Sequence, residues 1–224
     1  LTVSRAYRAI GRSAGGTCQK VIFCSNLRPW ESIMKRWQRY GICIALGLVG
    51  GAGYAISQVR GDYTAKQISN GPWNANTIQG TEKATALIRA KVALHGIMAL
   101  PANEAMYYIA KTDSDGAPLN GECTYTVRGG PLDARWWSVT LYHGEGWLVK
   151  NEANRWSVPG DKPVRDSDGN WSFTVSPKIA NGVWLPTGGI DGFDLTLRLY
   201  HAKGNLLTDP ANATLPTIKK ESCA

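Results

Sequence analysis

Tyr40 to Val59 is a run of twenty residues without a charged side chain, and Lys35, Arg36 and Arg39 stand just before it. At a helical rise of about 1.5 Å per residue such a run spans roughly 30 Å, the hydrocarbon thickness of a bilayer. Cations on the leading flank hold that end in the cytoplasm and send the rest of the chain across the membrane. The pattern therefore predicts an N-terminal membrane helix within residues 34–59, seated in a bacterial inner membrane through residues 40–59, with the chain beyond Arg60 in the periplasm. Gly53-Tyr54-Ala55 would serve as a small-x-small cleavage site, so a cleaved signal peptide is the alternative. Continuation of the run through Ala52, Tyr54, Ala55 and Ile56 favours retention. Gly47 and Gly51 form a small-xxx-small pair suited to helix dimerisation, and glycine as filler is the plainer reading.

Residues 1–33 show no sustained periodicity and would bury the export segment behind a leader, so Met34 reads as the initiator and the leader as mis-annotated or disordered. The formal charge of +8 then divides into +4 before Met34, +3 from Met34 to Tyr40 and +1 beyond. A basic chain invites a nucleic-acid role, but that requires a basic face on the folded domain, and here the excess flanks the apolar run. No nucleic-acid partner is expected. The cysteines sort by the same boundary. Cys18 and Cys24 precede Met34, Cys43 lies in the run, and only Cys123 and Cys223 would be exported. A pair in an oxidising compartment predicts one disulfide, tying the C-terminal tail to an early strand.

Residues 60–105 read as a stalk and a helical region. Gln58 to Ile78 is polar and irregular, with a turn at Asn70-Gly71-Pro72-Trp73. Thr81 is placed to cap a helix carrying Ala84, Leu87, Ile88, Lys91, Val92, Leu94 and His95, which Gly96 or Pro101 ends. From Met106 the period changes to two. Phe193, Leu195, Leu197 and Leu199 alternate with Asp194, Thr196, Arg198 and Tyr200, and Trp137, Val139 and Leu141 with Trp136, Ser138, Thr140 and Tyr142. Further strands are expected at Tyr107 to Lys111, Cys123 to Arg128, Trp147 to Lys150 and Trp171 to Ser176. Turn signals between them predict a mainly β fold, an antiparallel jelly-roll-like β-sandwich over residues 106–224.

Several of these pieces stand in one order: Asp115 to Gly121 before the Tyr125 strand, Trp137 to Tyr142, Leu148 to Asn151 with Asn154-Arg155, Asp168-Gly169, Trp184-Leu185-Pro186, and Leu197 to Tyr200. Over roughly residues 65 to 222 the chain resembles the bacterial domain-of-unknown-function family 1214. The resemblance implies a jelly-roll-like β domain, often fused behind a second domain, whose place is taken here by the membrane segment. Val183 departs from the Asn that the family tends to have before Trp-Leu-Pro. The resemblance brings no catalytic residues and no cofactor.

Chemistry therefore rests on the residues themselves. A Gly-x-Ser-x-Gly elbow, His-Glu-x-x-His, Cys-x-x-Cys and a phosphate loop are all absent. His143 and His201 could meet a carboxylate on a metal, but nothing in their spacing requires it, and no metal is expected. Asp113-Ser114-Asp115-Gly116 and Asp166-Ser167-Asp168-Gly169 echo one another. Either they are calcium ligands or, more simply, Asp-Gly turns that feed strands. The ligand-binding candidates are Trp136, Asn151, Asn154, Arg155, Trp156, Trp184, Arg198 and Tyr200, because indole and phenol faces supply apolar contact while Asn and Arg fix orientation. For any one of them the plainer reading is that the tryptophans fill the sandwich core and Asn154-Arg155 ends a strand and braces a loop. The leading functional expectation is a membrane-tethered binding module for an envelope saccharide, lipid or small amphipathic ligand. A hydrolase with a site hidden from the sequence, and an assembly partner of envelope proteins, are the rivals. A second copy of the chain is a partner the sequence allows.

Overall fold

A computed structural model describes residues 35–60, 67–94 and 99–223. The expectations for residues 1–33, Met34, His95 and Gly96 lie outside the described residues. Helix α1 (Arg36–Arg60) opens with the Gln38 side chain accepting the Lys35 N–H at 2.8 Å, which satisfies one of the donors a helix start leaves unpaired. Its stretch from Arg36 to Val59 is long and apolar enough to cross a membrane. A Cβ added at Gly41, Gly47, Gly50, Gly51 or Gly53 would meet nothing within 4 Å, so packing within the chain does not demand these glycines.

Residues 56–224 form a separate compact unit, mainly β. The strands are β1 (Ile68–Asn70), β2 (Trp73–Ala75), β3 (Ala105–Ala110), β4 (Cys123–Gly129), β5 (Ala134–His143), β6 (Ser157–Pro159), β7 (Val164–Arg165), β8 (Trp171–Ser176), β9 (Trp184–Pro186), β10 (Phe193–Ala202) and β11 (Thr217–Cys223), with helices α2 (Ala86–Leu94) and α3 (Asn205–Thr208). The larger sheet runs β1-β2-β3-β10-β5-β6, and the smaller runs β11-β4-β8-β7 with β9 beside β8. All pairs are antiparallel except β8 with β9, a departure from the expected pattern. One core lies between the sheets. The larger sheet turns Met106, Tyr108, Trp137, Val139, Leu141, Leu195, Leu197 and Leu199 inward, and the smaller turns in Tyr125, Val127, Trp171, Phe173, Val175 and Ile218. Rings meet across the gap: Trp137 and Trp171 have centroids 4.3 Å apart, and Tyr125 meets Phe193 edge-on at 5.8 Å. Each fully buried Val, Leu or Phe contributes about 1.5–3 kcal/mol.

The alternating segments form strands as their period predicts, whereas four other expectations are corrected. The stretch read as an irregular stalk carries the hairpin β1–β2, turned at Gly71 with φ +56°. Trp73 and Ala75 are buried, and the Trp73 indole N–H donates to the Pro216 carbonyl at 2.6 Å. Two inward residues are too few to register as a period in sequence. Helix α2 begins after Thr85, whose hydroxyl accepts the Ile88 N–H at 3.3 Å, and not at Thr81, whose hydroxyl donates to Ile78 in a turn. On α2 Lys91 is buried while Leu87 and Leu94 are exposed, since a lysine stem covers apolar surface as leucine does. Trp147 to Lys150 makes only a bridge at Leu148 to Tyr142. The C-terminal tail is strand β11, joined to β4 both by pairing and by the expected disulfide, Cys123–Cys223.

Candidate functional site

Strand β10 buries its leucines on one face and carries Asp194, Thr196, Arg198 and Tyr200 on the other. Register decides what stands beside them. On β5 their partners are Tyr142, Thr140, Ser138 and Trp136, and on β3 Ile109 and Tyr107 stand opposite Thr196 and Arg198. From Asp194 to Tyr200 the strip runs roughly 20 Å at the usual rise per residue. Long side chains dominate it, while Ser138, Thr140 and Thr196 are buried between them.

At the centre of the strip, Arg198 donates from Nη1 to the Thr140 hydroxyl at 3.0 Å and from Nη2 to the Tyr142 hydroxyl, with its guanidinium carbon 5.5 Å from the Tyr142 ring centre. One pleat further, the Trp136 and Tyr200 rings meet at a tilt of 54° with centroids 5.5 Å apart, and Trp136 keeps 44% of its surface exposed. Burial raises the Tyr107 pKa and the neighbouring Tyr200 adds to it, against the opposing pull of Arg198, so the phenol keeps its proton at neutral pH. The strip thus offers rings, hydroxyls and one cation.

The eight sequence candidates divide between this strip and a second locus. Trp136, Arg198 and Tyr200 are on the strip. Asn151, Asn154, Arg155, Trp156 and Trp184 gather at the sandwich edge between β6 and β9. There the Asn151 amide donates to the carbonyls of Val149 and Arg155 and accepts the Arg155 N–H, Trp156 donates to Val149, and Trp184 donates to Ser176. Arg155 donates to the Trp184 carbonyl at 2.8 Å, linking the two sheets. Asn154 adopts φ +50°, a conformation asparagine tolerates better than most residues. These polar groups are used on the chain's own backbone. A depression of about 300 Å³ lies beside them, lined by Arg155, Val158, Lys162 and Val183 among others.

A depression of about 390 Å³ opens at the other end of the strip from Trp136, where Lys111, His143, Glu145 and Asp194 line it. Burial raises the Asp194 pKa, against the counter-pull of Lys111, 4.0 Å away, and of His143. The Glu145 N–H points at His143 Nδ1 at 3.3 Å, which leaves the neutral ring its proton on Nε2. His201 is eight residues along β10 from Phe193, the partner of His143, and pairs with Glu104 at 3.8 Å. The two histidines do not converge, and among the described residues no three His, Cys, Asp or Glu side chains could share a metal.

The paired Asp-Gly motifs are turns. Asp113 Oδ1 accepts the N–H groups of Asp115 and Ala117, and Asp166 Oδ1 those of Asp168 and Asn170. Gly116 and Gly169 have φ of +87° and +79°. The first carboxylate of each motif is thus engaged by its own loop, and the Asn170 side chain with these N–H groups lowers the Asp166 pKa.

Sequence reasoning missed Tyr107, Thr140 and Tyr142 as companions of Arg198. Their outward parity was readable, but the registers of β3 and β5 against β10 were not.

Residues 104–204, from just before β3 to just before α3, match the family model described as protein of unknown function DUF1214. That stretch is similar to this family. The strip and both depressions lie within the matched stretch, while β1, β2, α2 and β11 flank it. Among solved structures, the VPA0106 protein of Vibrio parahaemolyticus is 23% identical with a TM-score of 0.54, over 87% of this chain and 48% of its own. That likeness shows a shared fold, and the chain spans about half the length of its neighbour. An uncharacterised protein of Burkholderia cenocepacia is 16% identical with a TM-score of 0.40, over 53% of this chain and 30% of its own. No curated protein matches the sequence.

Proposed function

We propose that the protein is a membrane-tethered periplasmic binding module, and that the outer strip of its larger sheet holds an envelope saccharide or similar amphipathic ligand without transforming it. The observation that carries the reading is the Trp136–Tyr200 ring pair, partly exposed beside Arg198 and a row of hydroxyls. Rings supply flat apolar contact to the faces of a sugar, and hydroxyl and guanidinium groups supply directional bonds to its edges. The tether is α1, with Lys35, Arg36 and Arg39 on the cytoplasmic flank, and an oxidising compartment suits the Cys123–Cys223 bridge. Reporter fusions to the C-terminus, active only outside the cytoplasm, test the orientation.

Binding is tested by thermal shift of the whole chain in detergent against envelope saccharides and acyl chains. A ligand at a hundred times its Kd adds about 2.7 kcal/mol of stability. Trp136→Ala or Tyr200→Ala should remove the shift, whereas Trp147→Ala, in the exposed turn after β5, should leave it. A shift that survives both strip substitutions would move the site elsewhere.

A second reading, a hydrolase, draws on Asp194, His143 and Lys111 around the 390 Å³ depression. A half-buried carboxyl of raised pKa beside a histidine is an arrangement suited to proton transfer. Turnover of generic ester substrates that Asp194→Asn abolishes would favour it over the binding module.

A further inference from the structure

We propose that the strip selects anionic saccharides, with Arg198 receiving a sugar carboxylate while the ring attached to it stacks on Trp136 and Tyr200; this rests on the saccharide-binding reading above. The guanidinium is half-buried on the outer face, yet among the described residues no carboxylate lies within ion-pair distance of it. Its partners are the hydroxyls of Thr140 and Tyr142 and the face of the Tyr142 ring, all neutral. Such contacts fix the direction of the fork and leave its charge uncompensated, which is costly for a cation drawn partly out of water unless an anion arrives.

The geometry leaves room for one. Arginine has five N–H donors, and two are engaged, so Nε, Nη1 and Nη2 each keep one N–H. Any two neighbouring donors can take a planar carboxylate in the bidentate manner. Tyr107 stands opposite Arg198 on β3, so its half-buried phenol borders the same part of the face. Arg198 and Tyr200 are one pleat repeat apart, about 7 Å, so a sugar on the aromatic pair can carry its own carboxylate to the guanidinium. Asp194, the acid on the same face, is two pleat repeats from Arg198 and is met by Lys111. The face therefore carries its cation next to its rings and its acid at the far end.

The test compares trigalacturonate with its methyl ester, which share the sugar backbone and differ in the carboxylate charge and the added methyl groups, by titration of the whole chain in non-ionic detergent. The expected result is binding of the acid at least tenfold tighter than the ester at low ionic strength, with the ratio falling as salt is added. Arg198→Gln should bring the ratio to about one, and Trp136→Ala should weaken both ligands by a similar factor and keep the ratio. Equal affinity for acid and ester on the unaltered chain would overturn the charge selection while leaving the saccharide reading standing. Binding of neither would overturn both. Displacement of trigalacturonate by an equal concentration of sodium acetate would mean that the site takes a bare anion, and would overturn the joint recognition of ring and carboxylate. The acid-to-ester ratio needs no substitution, so misfolding of Arg198→Gln would not shield the proposal.

Discussion

Removing the Cys123–Cys223 bridge should cost the β domain a large part of its stability, and the cost should come from the unfolded chain. The two cysteines are 100 residues apart in sequence. In the chain-entropy treatment, closing a loop of about 100 residues removes about 4.7 kcal/mol of freedom from the unfolded ensemble, and residual structure there lowers the gain, so about 3–5 kcal/mol is expected. In the folded state the loss is local. Strand β11 stays held at its start by the Trp73 bond to Pro216, by the Ser114 N–H on the Ile218 carbonyl at 2.8 Å and by the Ile218 N–H on the Ser114 hydroxyl at 2.9 Å. For a domain of this size each kcal/mol moves Tm by roughly 2–4 °C. The double variant Cys123→Ala/Cys223→Ser should therefore melt roughly 6–20 °C below the parent by circular dichroism. Dithiothreitol should bring the parent down to the variant's Tm and leave the variant unmoved, since Cys43, the free cysteine among the described residues, lies in α1. A fall of less than about 1 kcal/mol, or a variant that responds to the reductant, would refute the reasoning.

Burial sets three further outcomes. Trp73→Phe keeps the ring but strands the Pro216 carbonyl and should cost about 1–3 kcal/mol in urea unfolding, while Trp73→Ala should cost about 3–5; tolerance of both would return residues 68–75 to the status of a stalk. Tyr108 is fully buried with its hydroxyl on the Leu206 carbonyl, and burial pushes its pKa to about 12 from 10.0. The neutral phenol is favoured by folding, so its contribution is whole below pH 10 and lost as pH rises to 12, about 2–3 kcal/mol in alkaline unfolding; Tyr108→Phe should flatten that decline. Asp194 also has a raised folded pKa, so its protonated form is the stabilising one, present below its ordinary value of 3.8 and lost as pH rises through the folded value. Asp194→Asn should then melt above the parent at pH 7, with the gap closing below about pH 4; a variant less stable at pH 7 would mean that the Lys111 contact outweighs desolvation.

Period two was legible wherever four or more inward residues alternate, as in Leu195 to Leu199 on β10 and Trp137 to Leu141 on β5, because a sheet buried on one face writes its parity into the chain. Short strands escaped notice. Trp73 and Ala75 give two points, and β11 buries Ile218 alone at the level of its core contact, so neither carries a repeat to count. Trp147 to Lys150 looks like a strand and is not one, since β6 at Ser157–Pro159 takes the place beside β5. Propensity proposes an edge strand, and competition for the partner's hydrogen bonds decides it.

The candidate site divides along the same line. That Trp136, Arg198 and Tyr200 point away from the core follows from alternation within each strand, and that Cys123 and Cys223 are a pair follows from counting cysteines past the apolar run. The grouping of Arg198 with Thr140, Tyr142 and Tyr107, and the use of Asn151, Arg155 and Trp184 to tie the sheets together at an edge, do not. A strand's own residues determine which face each side chain takes. Which neighbour it meets there depends on register between segments up to some ninety residues apart, as with Tyr107 and Arg198, and register is chosen by the packing of the whole core.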